Sequence, residues 1–236
     1  MELAGIEVRR IERCASTNDV LLAANRPGVL LIADEQTAGR GRRGRRWYSA
    51  PGAGLTFSLS VKIGRTVAGL SLVAGVAAAR ALRALGVAQA ALKWPNDLEV
   101  DGAKLGGILV ETRGALAVIG IGINCRRDAA LEARLRRPIA ALEQFMQVDG
   151  DRVIHKVAHG LLEALDTFRR EGLAPLLAEW QRMDAHAGKR LRVRLADGRT
   201  LTGVSRGLDA QGGLKLETRA GLRAILSGRV LSARPA

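Results

Sequence analysis

The sequence predicts an α/β protein that carries a small all-β unit at its C-terminal end. Three observations lead there. Short apolar runs alternate with helix-like segments over the first ninety residues. Three apolar runs separated by turn signals then crowd between residues 91 and 125. After Ala187-Gly188 the chain changes to runs of about five residues broken by glycine. The hydrophobic fraction of 47% over 236 residues is ample for a packed core without disulfides or metals.

Ser16-Thr17-Asn18-Asp19 before Val20 to Ala24 is a helix-start signal: a hydroxyl residue followed three positions later by an acid. Val29 to Ala33 reads as a buried strand and Leu55 to Val61 as a second one, with a Gly/Arg loop at 39–46 between them. Thr66 is placed to cap an alanine- and leucine-rich helix running to about Leu85. Ala91–Trp94, Leu105–Val110 and Ala115–Ile123, with turns at 95–97, 101–102 and 113–114, predict an antiparallel meander. From Asp128 to about Glu179 the pattern is mostly helical, with breaks at Pro138, Gly172 and Pro175. Turns at Asp197-Gly198, Gly207, Gly212-Gly213 and Ala220-Gly221 predict a small barrel of SH3 type. The expected domains are 1–186 and 187–236.

Composition narrows the partners. Formal net charge is +14, and 31 of the 37 basic residues are arginine, scattered from Arg9 to Arg234. Such a surface attracts anions: nucleic acid, nucleotide phosphates or an acidic protein. Cys14 and Cys125 form no zinc or CxxC spacing, which points to a reducing compartment. The N-terminus is not a signal peptide, and Arg80 and Arg83 interrupt the longest apolar stretch, Val67 to Leu85. The expectation is a cytoplasmic protein with no membrane span.

The segment Gly39-Arg40-Gly41-Arg42-Arg43-Gly44-Arg45-Arg46-Trp47 concentrates the chemistry. Its glycines let backbone amides approach a ligand, and its arginine forks match phosphate and carboxylate oxygens. Gly39, Gly41 and Gly44 satisfy GxGxxG, but Pro51 and Gly52 follow where a dinucleotide fold needs a helix, and no acid stands about 20 residues on. An RG-rich nucleic-acid segment lies in a longer low-complexity tract. An ordered active-site loop is the reading that gains from its surroundings. Lys93-Trp94-Pro95-Asn96-Asp97 and Lys104-Leu105-Gly106-Gly107-Ile108-Leu109-Val110-Glu111 place two lysines, an amide and a carboxylate around one hairpin. Gly120-Ile121-Gly122-Ile123-Asn124 supplies small residues where a ligand can approach. His155 and His159 have zinc spacing but no third ligand. Trp94 fits either an adenine stack or the core. The Arg134–Arg137 cluster fits a solvated helix face or a contact to an acidic carrier.

In this order and spacing, these four motifs resemble the biotin–protein ligases. The resemblance covers about residues 10 to 125 closely, and the C-terminal unit resembles the family's small β-domain. It implies a catalytic domain like that of class II aminoacyl-tRNA synthetases, a mixed sheet flanked by helices. It implies ATP, Mg²⁺ and biotin as reactants and a biotin carboxyl carrier domain as acceptor. Residue by residue, it implies Ser16, Thr17, Asn18 and Gln36 near the ureido end of biotin. Gly39, Arg40 and Arg42 would hold the valeryl carboxylate and the adenylate phosphate. Lys104 would meet the reacting groups and Gly107 would line the biotin site. Arg45, Trp47, Asn96 and Asn124 would serve the nucleotide, together with Arg42 and Lys104. The catalytic expectation falls on Arg42, Lys104 and Asp97, with Asp97 facing the acceptor lysine or helping to organise magnesium, which otherwise rides on the ATP phosphates. Only 15 residues precede Ser16, too few for a helix-turn-helix, so the expectation is a catalytic type without sequence-specific DNA binding. An exposed sheet edge would support a homodimer. A lipoate-type acyl-adenylate ligase and a basic nucleic-acid-binding module are the competing readings.

Overall fold

The computed structural model describes residues 2–48, 51–64, 67–135 and 137–236. Seven strands form the larger sheet: β1 Glu7–Cys14, β2 Val29–Gln36, β3 Gly54–Lys62, β4 Ala91–Lys93, β5 Asp97–Val100, β6 Ala103–Arg113 and β7 Leu116–Asn124. Their spatial order is β1-β2-β3-β7-β6-β5-β4. β1 and β2 run parallel and the remaining pairs antiparallel, so the sheet is mixed, as the family resemblance implies. The crossover between β1 and β2 carries helix α1, Thr17–Ala24.

One face of this sheet is covered by helices. α2 (Leu70–Ala84) buries eleven of its fifteen residues, among them Val73, Val76, Ala77 and Leu82. Its small side chains let α4 (Gly150–Glu171) and α5 (Ala174–Arg182) pack closely on it. α4 starts where the Asp149 carboxylate accepts from the Arg152 backbone N–H, and its buried residues recur at helical spacing: Val153, Ile154, Val157, Ala158, Leu161, Ala164 and Leu165. Leu30, Ile32, Phe57, Leu59, Ile119 and Ile121 meet these helices in one apolar cluster.

The second sheet has five antiparallel strands, β8 Arg190–Leu195, β9 Thr200–Leu208, β10 Leu214–Thr218, β11 Gly221–Ile225 and β12 Gly228–Arg234, in the order β11-β10-β9-β8-β12. Its inward residues Leu191, Val193, Leu208, Leu214, Leu216 and Val230 join the same apolar cluster. Trp94 is the seam: it is buried, its indole N–H donates to the Gly212 carbonyl at 3.1 Å, and Gly228 lies against its ring. Trp94 is therefore a core residue and not an exposed stacking platform.

Several local expectations are corrected. The meander has four strands, because Asp97–Val100 pairs with both β4 and β6; four residues between two turn signals were too short to register as a strand. The stretch 128–179 is mostly helix in pieces, as the sequence predicts, but the gap after α3 (Ala129–Leu135) is longer than Pro138 alone implies. Within that gap Lys104 bridges Ile139, and one turn of 3₁₀ helix, Leu142–Gln144, precedes α4. Pro175 starts α5 in its first turn, where no N–H partner is required, and does not break it. Gly207 is a bulge inside β9 with φ +76°, opposite a register shift, and not a turn. Thr66 lies outside the described residues, and α2 begins at Leu70 after Gly69. Ser16 stands at the N-cap of α1 without a capping hydrogen bond.

Candidate active site

The face of the large sheet away from α2 is built differently. On β3 the residues Leu55, Phe57, Leu59 and Val61 point into the helix-covered core, while Thr56, Ser58 and Ser60 alternate onto the other face. On β7, Ala117, Ile119, Ile121 and Ile123 belong to the core, while Gly120 and Gly122 face a cavity of about 250 Å³. A Cβ at Gly120 would collide with the Asn18 side chain, and one at Gly122 would collide with the Trp47 ring. Glycine there makes room for two functional side chains lying flat on the strand.

The cavity has two chemically distinct ends. Ser16, Thr17 and Asn18, all buried at the start of α1, and Gln36 at the end of β2 form the polar end. They are tied together: the Thr17 backbone N–H donates to Gln36 Oε1 at 2.7 Å, the Thr17 and Ser58 hydroxyls are 2.7 Å apart, and Ser58 donates to Asn18 Oδ1 at 2.6 Å. The other end is cationic. Arg42, Arg45, Lys104, Arg137 and Arg229 line it, and among the described residues no carboxylate lines this cavity.

The cations differ in their partners. Lys104 forms an ion pair with Asp97, both side chains being 12% exposed. Burial alone would raise the Asp97 carboxyl, but Lys104, with Lys93 and Arg137 behind it, holds it below the usual carboxylate range. Burial lowers the Lys104 ammonium, and Asp97 opposes that shift. Arg42 is half buried, and burial together with Arg43 and Arg45 weakens its hold on its proton. Arg229, brought in by β12, is lowered by burial and by Arg45 and Arg194. Such mutually repelling cations favour a bound anion. Arg40 is the exception: it is held by Asp19 at 2.5 Å and by Glu111 at 2.9 Å.

The expected residues distribute as follows. Ser16, Thr17, Asn18, Gln36, Arg40, Arg42, Arg45, Trp47, Asn96, Lys104 and Gly107 line the cavity. Gly39 does not; it lies beneath the Trp47 backbone, which a Cβ would strike at 2.7 Å. Asn124 lines an adjoining cavity of about 530 Å³ with Trp47, Tyr48 and Arg134, and its amide braces the Lys104 and Ala140 carbonyls. Asn96 donates to the Ile108 carbonyl at 2.7 Å. Asp97 lines a third recess with Lys93, Arg43, Arg229 and Leu231. Trp47 closes over Gly122, its indole N–H buried without a partner and its ring 5.7 Å from Lys104 Nζ. Sequence reasoning missed Arg229 and gave Arg137 no catalytic place. The first stands more than a hundred residues from every motif, and the second stood in a cluster read as a solvated face.

Among the described residues no three His, Cys, Asp or Glu side chains gather as metal ligands, and Asp97 is closed on Lys104. Among the described residues no helix is long and apolar enough to cross a membrane.

Comparison with known proteins agrees with this geometry. Residues 4–126 match the biotin/lipoate A/B protein ligase family, and residues 186–231 match the biotin protein ligase C-terminal domain. The chain is 36% identical over 241 residues to the bifunctional ligase/repressor BirA of Escherichia coli, covering 97% of this chain and 75% of that protein. It is 33% identical to the biotin–[acetyl-CoA-carboxylase] ligase of Mycobacterium tuberculosis, covering 95% of this chain and 88% of that one. Among solved structures, the biotin protein ligase from Aquifex aeolicus in complex with biotin and ATP matches with a TM-score of 0.86 at 30% identity, over 98% of this chain and 99% of the other.

Proposed function

Since the chain belongs to the biotin/lipoate A/B protein ligase family, we propose that it is an ATP-dependent biotin–protein ligase acting on a lysine of a biotin carboxyl carrier domain. The observation that carries this is the cavity with a hydrogen-bonding polar end and a carboxylate-free cationic end. A neutral cyclic urea suits the first, and a carboxylate meeting a triphosphate suits the second.

In the first step a carboxylate oxygen of biotin attacks the α-phosphorus of ATP and pyrophosphate leaves, giving biotinyl-AMP. Two anions must approach each other, and Arg42 and Lys104 offset their repulsion. A cation about 4 Å from the developing charge contributes roughly 4 kcal/mol at an effective dielectric of 20, about three decades of rate if it acts only in the transition state. Arg45, Arg137 and Arg229 extend the cationic wall toward the leaving pyrophosphate. Magnesium enters as part of the ATP substrate. Trp47 lines both the site cavity and the adjoining one and shields the anhydride from water.

In the second step the neutral ε-amine of the acceptor lysine attacks the acyl carbon and AMP leaves. Asp97 lies in the recess next to Lys104. Its carboxyl is held below the usual range, so it is a weak base. It orients the incoming amine, and the proton that the amine loses on forming the amide passes to the departing AMP phosphate or to solvent. The small sheet borders that recess through Gly228–Leu231 and so stands where a carrier domain would dock. A cytoplasmic setting, with both ATP and the carboxylase at hand, belongs to the same proposal.

Mass spectrometry tests both steps. Biotin and Mg-ATP without acceptor are expected to give enzyme-bound biotinyl-AMP, and adding a carrier domain is expected to move the biotin to one lysine. Transfer of lipoate but not biotin would overturn the assignment.

A further inference from the structure

We propose that Glu111 is a positioning residue that sets the direction of the hydrogen bonds at the polar end of the cavity; this deepens the biotin proposal above and rests on it. Glu111 stands on β6, outside the cationic end. Both of its carboxylate oxygens accept from Arg40, at 2.9 and 3.0 Å, and Oε2 also accepts from Asn18 Nδ2 at 2.8 Å.

An asparagine amide can be turned over, exchanging its donor and its acceptor. A carboxylate facing it removes that choice, because an ionised carboxylate only accepts. Asn18 must therefore point its NH₂ toward Glu111 and the Leu109 carbonyl, and its Oδ1 toward Ser58. Ser58 has one hydroxyl proton and gives it to Asn18 Oδ1. The 2.7 Å contact between Thr17 and Ser58 is then a donation from Thr17, whose single hydroxyl proton takes this shorter contact over the 3.0 Å one to Gln36 Oε1. Gln36 Oε1 is kept by the Thr17 backbone N–H. The outcome is a defined polarity. Lone pairs of Thr17 Oγ1 remain to accept a ligand N–H, while the Gln36 amide nitrogen and the Ser16 hydroxyl remain to donate to a ligand carbonyl. A cyclic urea, one C=O between two N–H groups, requires that mixture. With the Asn18 amide turned over, Asn18 donates to Ser58, Ser58 donates to Thr17, and Thr17 turns its own proton to Gln36 Oε1 at 3.0 Å, so that one of the two Thr17 lone pairs is taken within the protein.

Glu111→Gln in the full chain tests this, because glutamine fills the same space but can also donate. In biotin-dependent ATP–pyrophosphate exchange, the biotin KM is expected to rise about tenfold, with the ATP KM and kcat within about twofold. Asp19→Asn removes the other carboxylate on Arg40 but leaves Asn18 untouched, and its biotin KM is expected to stay within about threefold of wild type. An unchanged biotin KM in Glu111→Gln, a fall in kcat alone, or an equal rise in both variants would overturn the proposal. A second readout needs no catalysis. Overhauser contacts from the Asn18 amide protons should run toward Leu109 and Glu111 in the wild type, with new contacts toward Ser58 in Glu111→Gln; identical contacts in both would also overturn it. If wild-type protein gives no exchange with biotin, the functional proposal fails, and these contacts alone decide the role of Glu111.

Discussion

Ile119 and Gly120 are neighbours on β7 and live under opposite rules. Ile119 is fully buried against the helix-covered face, where its worth is the apolar surface it removes from water and the space it fills. Gly120 faces the cavity, where its worth is the side chain it lacks, which lets Asn18 lie on the strand. The same alternation separates Phe57 from Ser58 on β3. The helix-covered face stores stability, while the other face, which buries Leu21, Val29, Leu31, Leu116 and Val118 away from the cavity, holds polar groups in set directions around it. Changes on the two faces should therefore separate into losses of folding and losses of chemistry.

The largest effect is expected at Lys104. Lys104→Ala should lower biotin-dependent exchange about a thousandfold. It should also lower stability by roughly 3 kcal/mol, since Asp97 is left buried without its partner. A loss of activity under tenfold would break the assignment of Lys104 to the reacting anions. Next comes Ile119→Ala, expected to cost about 3–4 kcal/mol in urea unfolding while the folded protein keeps its biotin KM. A large change in KM without loss of stability would break the division between the faces.

A third region sharpens the comparison. Buried His186 and half-buried Asp184, beside the seam between the sheets, line none of the three cavities described above, and the buried atoms Asp184 Oδ2 and His186 Nδ1 have no partner. Burial pushes the Asp184 carboxyl from 3.8 up to about 6 and the His186 imidazole from 6.5 down to about 4. The folded state thus holds the Asp184 proton more tightly than the unfolded chain. That contribution is complete below about pH 4 and is lost as pH rises through about 6. Asp184→Asn should therefore gain stability over wild type above pH 6, by up to roughly 3 kcal/mol, and show little difference near pH 3.5. Exchange activity should not move. Equal stability differences at both pH values, measured by thermal unfolding, would remove the charge from the account.

The smallest effect separates the faces most cleanly. Gly120→Ala should raise the biotin KM about tenfold by displacing Asn18, with a stability change near 1 kcal/mol. An alanine that costs several kcal/mol and leaves KM unchanged would place Gly120 with the core.

Much of the candidate site was legible because its residues travel in short motifs. Ser16–Asn18, Arg40–Trp47, Asn96 and Lys104–Gly107 stand close in sequence, and local turns bring each group to the cavity. The remainder depends on pairings across the fold. Thr17 meets Ser58 across 41 residues and Asn18 meets Glu111 across 93. Thr56, Ser58 and Ser60 did carry a signal, three hydroxyls on one face of a strand whose other face is wholly apolar. Arg229 carried none, because its place follows from how the small sheet seats on Trp94. The fold class was legible for a similar reason, since alternation and turn residues act locally. β5 was not, because its four residues become a strand only through partners on both sides.

The most direct test of the account is isotope exchange between pyrophosphate and ATP on the purified wild-type chain, with biotin, lipoate or no acid added. Exchange that depends on biotin alone is the predicted result. Exchange supported by lipoate and not biotin, or none with either acid, would contradict the claim that this face of the sheet joins biotin to AMP.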